Sequence, residues 1–140
     1  MLNRGYSGYN TRWALLQLPY LIAQTSCAPS ICTLFFGAND SAATASKQHV
    51  PLEEYVENLD KMVVMLRAAW PTCVVVLISP PPVDQVVWDA GRGGPGCGMR
   101  ELERARLYAE AVVSLAARIQ CTCVDLFTHI HTKAEWKSCL

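Results

Sequence analysis

The sequence predicts an α/β domain in which helices cover both faces of a parallel β-sheet. Continuous apolar runs, which are typical of strands buried on both faces, alternate with segments whose apolar residues recur every three or four positions. This alternation indicates βαβ units and therefore a three-layer αβα architecture. The chain has 140 residues, the size of one domain, so we assign residues 1–140 to a single domain.

The amino-terminal part contains a loop, a helix and a strand. Residues 1–4 are interpreted as the end of a strand, and residues 5–10, GYSGYN, have the composition of a loop. Helical spacing starts at Thr11, and Pro19 predicts that this helix either kinks there or ends before the proline and restarts after it. The next apolar run, residues 31–36, predicts a strand buried on both faces.

A long amphipathic helix follows a polar loop. Pro51 suits the first position of a helix, and apolar residues then recur on one face. The acidic pair Glu53 and Glu54 in the first turn and Arg67 in the last turn suit the helix dipole. We therefore predict a helix that begins at Pro51 and ends near Trp70.

The second half of the chain continues the alternation. Residues 73–79 predict a buried strand, and residues 83–99 a long connection whose glycine-rich second half has no regular structure. Three- and four-residue spacing predicts a helix over residues 102–119. Residues 121–127 predict a shorter strand, and residues 128–140 a loop with one short helical turn.

A polar turn follows the first complete strand of this scheme. Residues 31–36 lead directly into Gly37, Ala38, Asn39 and Asp40. Ligand crevices of open α/β sheets lie at the carboxyl ends of the strands. We therefore expect the Asn39 side chain to lie where binding or chemistry occurs.

Composition excludes several classes of function. The chain is 51% hydrophobic and 17% charged with a formal net charge of zero, which is typical of a globular protein without an electrostatic footprint for nucleic acid. No apolar run approaches the ~20 residues of a membrane span, so we expect no span. Because Asn3 and Arg4 interrupt the start of the chain, we expect no signal peptide and a cytoplasmic location.

The seven cysteines allow two interpretations. They show no C-x-x-C spacing, which favours reduced thiols that are mostly buried as small hydrophobic side chains. Alternatively, Cys121 and Cys123 could join His129 and His131 in a zinc site, although C-x-C with H-x-H lacks the usual zinc-finger spacing. We favour the first interpretation and predict no metal site.

Four short segments, taken in order, carry a resemblance to a known family. They are GYSGYNTRW (5–13), FGAND (36–40), HVPLEEY (49–55) and ISPPP (78–82). In this order they resemble the SGNH, or GDSL-type, hydrolases, and in particular the homologues of isoamyl-acetate-hydrolysing esterase. The resemblance implies a flavodoxin-like sheet, a small carboxylic ester as substrate, and hydrolysis through a serine acyl-enzyme, which needs no cofactor.

The same resemblance assigns roles to four residues. The Gly8 main-chain N–H and the Asn39 side-chain amide would be the oxyanion donors, and Gly37 and Asp40 would support the turn that carries Asn39. Taken alone, Gly8 fits a left-handed turn and Asn39 an Asx turn. The ordered motifs favour the oxyanion role, which suits an ester carbonyl that becomes a tetrahedral oxyanion during attack.

The family's remaining catalytic motifs are not found in these 140 residues. No Gly-Asp-Ser segment precedes Gly8, and no Asp-x-x-His follows the last predicted strand. Local substitutes would be the serines or histidines near the expected loops, namely Ser7, Ser41, His129 and His131 with Asp125. Their spacing does not fit the family pattern, so we expect the chain to be inactive alone; the alternative is a non-catalytic truncated isoform that binds or regulates a partner.

The resemblance also predicts an open sheet edge. The chain is expected to be truncated at both ends and to lack the first, central strand and the carboxyl-terminal helix. In the 2-1-3-4-5 strand order, loss of the first strand leaves residues 31–36 with an unpaired apolar edge. We therefore expect marginal stability, or self-association through this edge.

Overall fold

The computed structural model of the protein describes residues 2–139. These residues form five α-helices, three β-strands and a final 3₁₀ turn. The helices are α1 (Thr11–Ala23), α2 (Leu52–Ala69), α3 (Gln85–Ala90), α4 (Leu102–Arg118) and α5 (Leu126–His131); the strands are β1 (Ile31–Phe35), β2 (Val74–Ile78) and β3 (Thr122–Val124); the turn is Trp136–Cys139.

The three strands form one parallel sheet in the order β1-β2-β3. Ile31 pairs with Val74 at one end of the first ladder and Phe35 with Ile78 at the other. Parallel strands flanked by helices confirm the predicted α/β class. β1 lies at the edge of the sheet, so the predicted open edge is present in the described part of the chain.

The core lies between one face of the sheet and helices α1, α2 and α4. Helices α2 and α4 contact each other and the central strand β2, and α1 packs on α2. Buried side chains from these elements form one cluster, in which the rings of Tyr55 and Tyr108 lie 5.0 Å apart. The Tyr55 hydroxyl donates to the Phe36 carbonyl oxygen at 3.2 Å, which anchors α2 to the end of β1.

Burial alternates along the strands, so the prediction that they are buried on both faces is wrong for the described residues. Leu34 and Leu77 are buried, whereas Ile31 and Phe35 are 62% and 51% exposed. The physical reason is that Leu34 and Leu77 belong to the core cluster, and the residues that alternate with them along the strands face away from it. No helix of the described chain is both long and apolar enough to cross a membrane.

Helices α1 and α2 lie where the sequence patterns place them, with a difference from prediction at one proline in each. Asn10 caps α1 by accepting a hydrogen bond from the Trp13 N–H at 2.9 Å. Pro19 lies inside α1, which continues to Ala23, so of the two alternatives given for this proline, an end of the helix before it is wrong. Pro51 is the residue that precedes α2 and not its first helical residue.

Three short elements differ from prediction. Residues 2–4 form no strand, and Met1 lies outside the described residues, as does Leu140 at the end of the predicted tail. Helix α3 occupies the start of the predicted loop because Asp84 accepts from the Val86 N–H at 3.1 Å. Similarly, Asp125 accepts from the Thr128 N–H at 3.1 Å, so the predicted strand over 121–127 ends at Val124 and α5 follows.

Candidate functional site

Two loops meet at the carboxyl end of β1. One is the loop before α1, which contains Gly8 and Tyr9, and the other is the turn that contains Asn39. The Asn39 Nδ2 donates to the Tyr9 carbonyl oxygen at 2.7 Å, although the two residues are 30 positions apart. The structure therefore brings together the two segments that the sequence singles out.

The buried side chain of Asp40 connects these two loops. Its carboxylate is fully buried and accepts hydrogen bonds from the Thr11 N–H at 2.8 Å, the Thr11 hydroxyl at 2.5 Å and the Gly37 N–H at 3.2 Å. Asn58 of α2 donates to the same Thr11 hydroxyl at 3.3 Å. Burial raises the pKa of the Asp40 carboxyl above its ordinary value, and the hydrogen bonds from Thr11 and Gly37 oppose that rise.

Gly37 is required by both conformation and space. Its φ of +115° lies in a region that residues with a side chain rarely adopt. A Cβ at this position would lie 2.8 Å from the Tyr55 hydroxyl and 2.9 Å from Pro80 Cγ. Gly8 also has a positive φ, +78°, with the Gln48 Nε2 3.4 Å from the position of a Cβ. Both glycines therefore let main chain approach polar side chains closely.

The donors proposed by the resemblance have spare hydrogen-bonding capacity. Among residues 2–139, no acceptor takes a hydrogen bond from the Gly8 N–H. Asn39 uses one N–H of its amide on Tyr9 and leaves the second without an acceptor in the described chain. Its Oδ1 accepts from Arg100 Nη2 at 2.8 Å. Two groups at this corner can therefore donate to a bound oxygen.

Asn39 lies where two cavities meet. A cavity of about 380 Å³ is lined by Gly8, Asn39, Gln48, Trp88 and Arg100, among others. A larger groove of about 880 Å³ runs along β1 and also reaches Asn39. A small molecule in the first cavity would therefore contact both loops.

The candidate substitutes for a catalytic triad do not come together. Ser7 lines the smaller cavity, and the Ser41 hydroxyl donates to the Ala38 carbonyl oxygen at 3.4 Å. Neither serine has a histidine within hydrogen-bond distance among the described residues.

The histidines near the end of the chain lie on α5. The His131 ring stacks on Phe127 with centroids 5.3 Å apart, and His129 lies in the same last turn. The Asp125 carboxylate caps this helix and accepts from the Ser79 hydroxyl at 3.2 Å. The described residues hold no group of three or more His, Cys, Asp or Glu that could bind a metal ion, so the zinc hypothesis finds no geometric support.

Arg100 and Gln48 are the polar residues of this corner that sequence reasoning missed. Arg100 Nη1 donates to the Asn39 carbonyl oxygen at 3.2 Å, and Arg100 Nη2 donates to Gln48 Oε1 at 3.0 Å. Both residues belong to loops outside the recognised motifs, and a single Arg or Gln in a loop has no local pattern that indicates its partner.

Comparison with known proteins agrees with this geometry. Residues 1–140 match the family model of the GDSL-like lipases and acylhydrolases. The chain belongs to this family. A GDSL esterase/lipase of Arabidopsis thaliana is 40% identical over 148 residues, which cover 96% of this chain and 60% of the relative. The human isoamyl acetate-hydrolyzing esterase 1 homolog is 40% identical over 146 residues, which cover 100% of this chain and 59% of that protein.

Comparison with a solved structure confirms the fold. The lipase/acylhydrolase from Enterococcus faecalis superposes with a TM-score of 0.69 at 23% identity, over 93% of this chain and 57% of that one. The predicted αβα hydrolase fold is therefore confirmed. The chain spans about 60% of the length of the curated relatives named above.

Proposed function

We propose that these residues supply the oxyanion hole of a carboxylic ester hydrolase. The observation that carries the proposal is the contact between the two loops, in which Asn39 donates to Tyr9 beside Gly8 and keeps one N–H free. The Gly8 N–H and the Asn39 amide would then both donate to the substrate carbonyl oxygen. Membership of the GDSL-like family supports ester hydrolysis as the reaction.

The proposed reaction is acyl transfer through a serine. The serine oxygen bonds to the ester carbonyl carbon, and the carbonyl electron pair moves onto its oxygen. Gly8 and Asn39 stabilise that negative charge, and removing one such donor typically costs about 2.7–4 kcal/mol of transition-state stabilisation. Collapse breaks the bond to the alcohol, which leaves with the proton that a base has taken from the serine. Water then hydrolyses the acyl-enzyme to the acid and the free serine.

The nucleophile is not assigned to any serine of this chain. A serine without an adjacent base is a poor nucleophile at neutral pH, and Ser7 and Ser41 have no histidine partner among the described residues. We therefore propose that residues 1–140 alone do not turn over esters. The reaction would require a serine and a base from sequence beyond the family segments recognised here.

A small ester fits the site best. The cavity beside Gly8 and Asn39 is about 380 Å³, at the lower end of the range for ligand pockets. The human relative's name refers to isoamyl acetate, a short-chain ester. The stacked rings of Tyr6 and Tyr9, 4.8 Å apart, would offer an apolar wall for the acyl or alcohol group.

A second candidate function is binding of a partner without catalysis. β1 pairs with β2 on one side only, and an apolar groove of about 880 Å³ follows its other side. Unpaired strand edges are templates for pairing with another chain. An association of this kind, with a second copy or with a longer member of the family, would be independent of the oxyanion donors.

Hydrolysis of p-nitrophenyl acetate tests the first candidate. The 140-residue chain is compared with a chimera in which it replaces the matching segment of the human relative, and both are treated with a fluorophosphonate that labels reactive serines. We expect no turnover and no labelling from the chain alone. We expect turnover from the chimera, with kcat reduced roughly 100- to 1000-fold by Asn39→Ala.

The other outcomes separate the candidates. Turnover by the 140-residue chain would contradict its proposed inactivity, and the labelled peptide would identify the serine. A folded chimera that is inactive, or whose turnover is unchanged in Asn39→Ala, would contradict the oxyanion role. Sedimentation of the chain as a monomer at all accessible concentrations would count against self-association through β1.

A further inference from the structure

A closed ring of hydrogen bonds connects three loops at the candidate site. The Gly8 carbonyl oxygen accepts from Gln48 Nε2 at 2.9 Å, and Gln48 Oε1 accepts from Arg100 Nη2 at 3.0 Å. The same Nη2 donates to Asn39 Oδ1 at 2.8 Å, and Asn39 Nδ2 donates to the Tyr9 carbonyl oxygen at 2.7 Å. The ring therefore returns to the residue that follows Gly8.

Arg100 at one side of this ring and the carbonyl oxygens of Gly8 and Tyr9 at the other fix the direction of every hydrogen bond in it. A guanidinium group only donates hydrogen bonds, so each amide that faces Arg100 must present its oxygen to it. The NH₂ groups of Asn39 and Gln48 then necessarily point away, toward the loop that contains Gly8. Without Arg100, only the hydrogen bond to the Tyr9 carbonyl oxygen would oppose rotation of the Asn39 amide by half a turn, which would present an oxygen to the site and repel an oxyanion.

We propose that Arg100 is a positioning residue that fixes the orientation of the Asn39 amide and holds it in register with Gly8. The inference rests on the proposed function, because orientation matters only if Asn39 donates to the substrate. Arg100 acts through Asn39 and is not itself a donor to the reacting atoms.

The main chain beside Arg100 supports this role. The Ala43 N–H, just after the Asn39 turn, donates to the Met99 carbonyl oxygen at 2.9 Å. Arg100 also donates from Nη1 to the Asn39 carbonyl oxygen at 3.2 Å. The main chain of Met99 and the side chain of Arg100 thus both bind the turn that contains Asn39. The guanidinium is therefore held in a fixed position relative to Asn39.

Arginine suits this position better than lysine. The planar fork of Arg100 reaches three oxygen atoms, the Asn39 carbonyl, Asn39 Oδ1 and Gln48 Oε1. A lysine ammonium is a compact charge on a flexible stem and lacks this fork geometry. Arg100→Lys is therefore expected to preserve part of the ring, and Arg100→Met none of it.

The side-chain amide resonances of Asn39 test the proposal without requiring turnover. The pair is assigned in the ¹⁵N-labelled 140-residue chain by its loss in Asn39→Asp. In Arg100→Met, we expect the pair to move toward the position of a free amide and its hydrogen exchange to accelerate at least tenfold. Arg100→Lys should fall between Arg100→Met and the unchanged chain.

Arg92→Met is the matched control. Arg92 belongs to the same loop and stacks on Trp88, with its guanidinium carbon 3.5 Å from the ring centroid, but it makes no hydrogen bond to Asn39. We expect the Asn39 pair to be unchanged in this variant. An unchanged Asn39 pair in Arg100→Met would overturn the proposal. If Arg100→Met fails to fold, exchange in Arg100→Lys that equals that of the unchanged chain would overturn it instead.

Kinetics of the chimera distinguish this inference from the proposed function. We expect Arg100→Met to lower kcat roughly 10- to 100-fold with KM within twofold, and Arg100→Lys to recover part of the loss. If Asn39→Ala lowers kcat but Arg100→Met does not, the positioning role fails and the oxyanion hole stands. If neither substitution lowers kcat, the proposed function itself fails.

Discussion

Asp40 and Asp89 are both buried carboxylates that accept hydrogen bonds from glycine N–H groups, yet they organise very different parts of the molecule. They are 0% and 4% exposed. Asp40 binds Gly37 within its own turn and also Thr11, 29 positions away. Asp89, in the last turn of α3, binds only the loop that follows this helix, accepting from the Gly96 N–H at 2.7 Å and the Gly98 N–H at 2.8 Å.

The difference shows that the stability a buried carboxylate contributes depends on how far apart in the chain its hydrogen-bond partners lie. Asp40 connects the end of β1 with the start of α1, so the two loops of the candidate site depend on it. Asp89 gives a glycine-rich surface segment a defined shape, and Trp88 Nε1 helps by donating to the Gly98 carbonyl oxygen at 2.9 Å. Loss of Asp40 should therefore lower the stability of the whole domain, whereas loss of Asp89 should loosen one loop.

Removal of Asp40 should have the largest effect. In Asp40→Ala, the buried N–H groups of Thr11 and Gly37 lose their acceptor, and each orphaned donor costs about 1–3 kcal/mol, so we expect the free energy of unfolding to fall by roughly 3–5 kcal/mol. Urea denaturation of both proteins measures this. A loss below about 1 kcal/mol would show that these donors find water instead.

A methyl group at Gly37 should have the next largest effect. Gly37→Ala combines an unfavourable φ with contacts under 3.0 Å to Tyr55 and Pro80, and we expect a loss of roughly 2–4 kcal/mol. Gly94→Ala is the matched control, because Gly94 has a similar φ of +113° but no atom within 4 Å of a Cβ. Equal losses in the two variants would mean that conformational strain, and not crowding beside Asn39, determines the cost.

Removal of Asp89 should have a smaller and local effect. Asp89→Ala leaves the Gly96 and Gly98 N–H groups to be solvated in an exposed loop, so we expect a loss of only about 1 kcal/mol in unfolding free energy. Limited proteolysis should instead show faster cleavage within residues 91–98. A cooperative loss as large as that of Asp40→Ala would contradict the division between a domain-wide and a local carboxylate.

This contrast also separates what sequence reasoning could and could not predict. The turn at Asn39 and Asp40 was predictable because it directly follows an apolar strand and belongs to an ordered set of motifs. Helix α4 was predictable because its spacing repeats over many residues. Both features could be predicted because the residues that determine them are close together in the sequence.

The features that escaped prediction depend on single residues or on distant partners. The short helices α3 and α5 each begin at one aspartate, Asp84 or Asp125, whose capping role is visible locally but was outweighed by the glycine-rich and β-branched residues nearby. The glycine-rich segment after Asp89 has no helix or strand, as predicted, but the hydrogen bonds from its Gly96 and Gly98 N–H groups to Asp89 were not foreseen. Arg100 lies 61 positions from Asn39, and no local pattern indicates that contact.

Titration of Asp40 should give the smallest effect, seen as a dependence on pH. Because burial raises the pKa of Asp40 in the folded state above its ordinary value, the folded chain holds that proton more tightly than the unfolded chain does. The stability contributed by this proton is complete below the ordinary pKa and is lost as pH rises through the raised one. The advantage of the unchanged chain over Asp40→Asn should therefore shrink as pH rises from about 4 to 7.

The difference in unfolding free energy between the unchanged chain and Asp40→Asn reports on Asp40 and not on its neighbours. The charged or titratable groups near its carboxylate are shared by both proteins: Arg12, Tyr55, Arg100 and Tyr108, with the His49 ring at its main-chain oxygen. The arginines and tyrosines do not titrate between pH 4 and 7, and His49 is present in both proteins. Urea denaturation of the pair at several pH values measures the difference. An advantage that grew with pH would mean that the hydrogen bonds from Thr11 and Gly37 outweigh burial, and that Asp40 is held at this corner as a stabilised carboxylate.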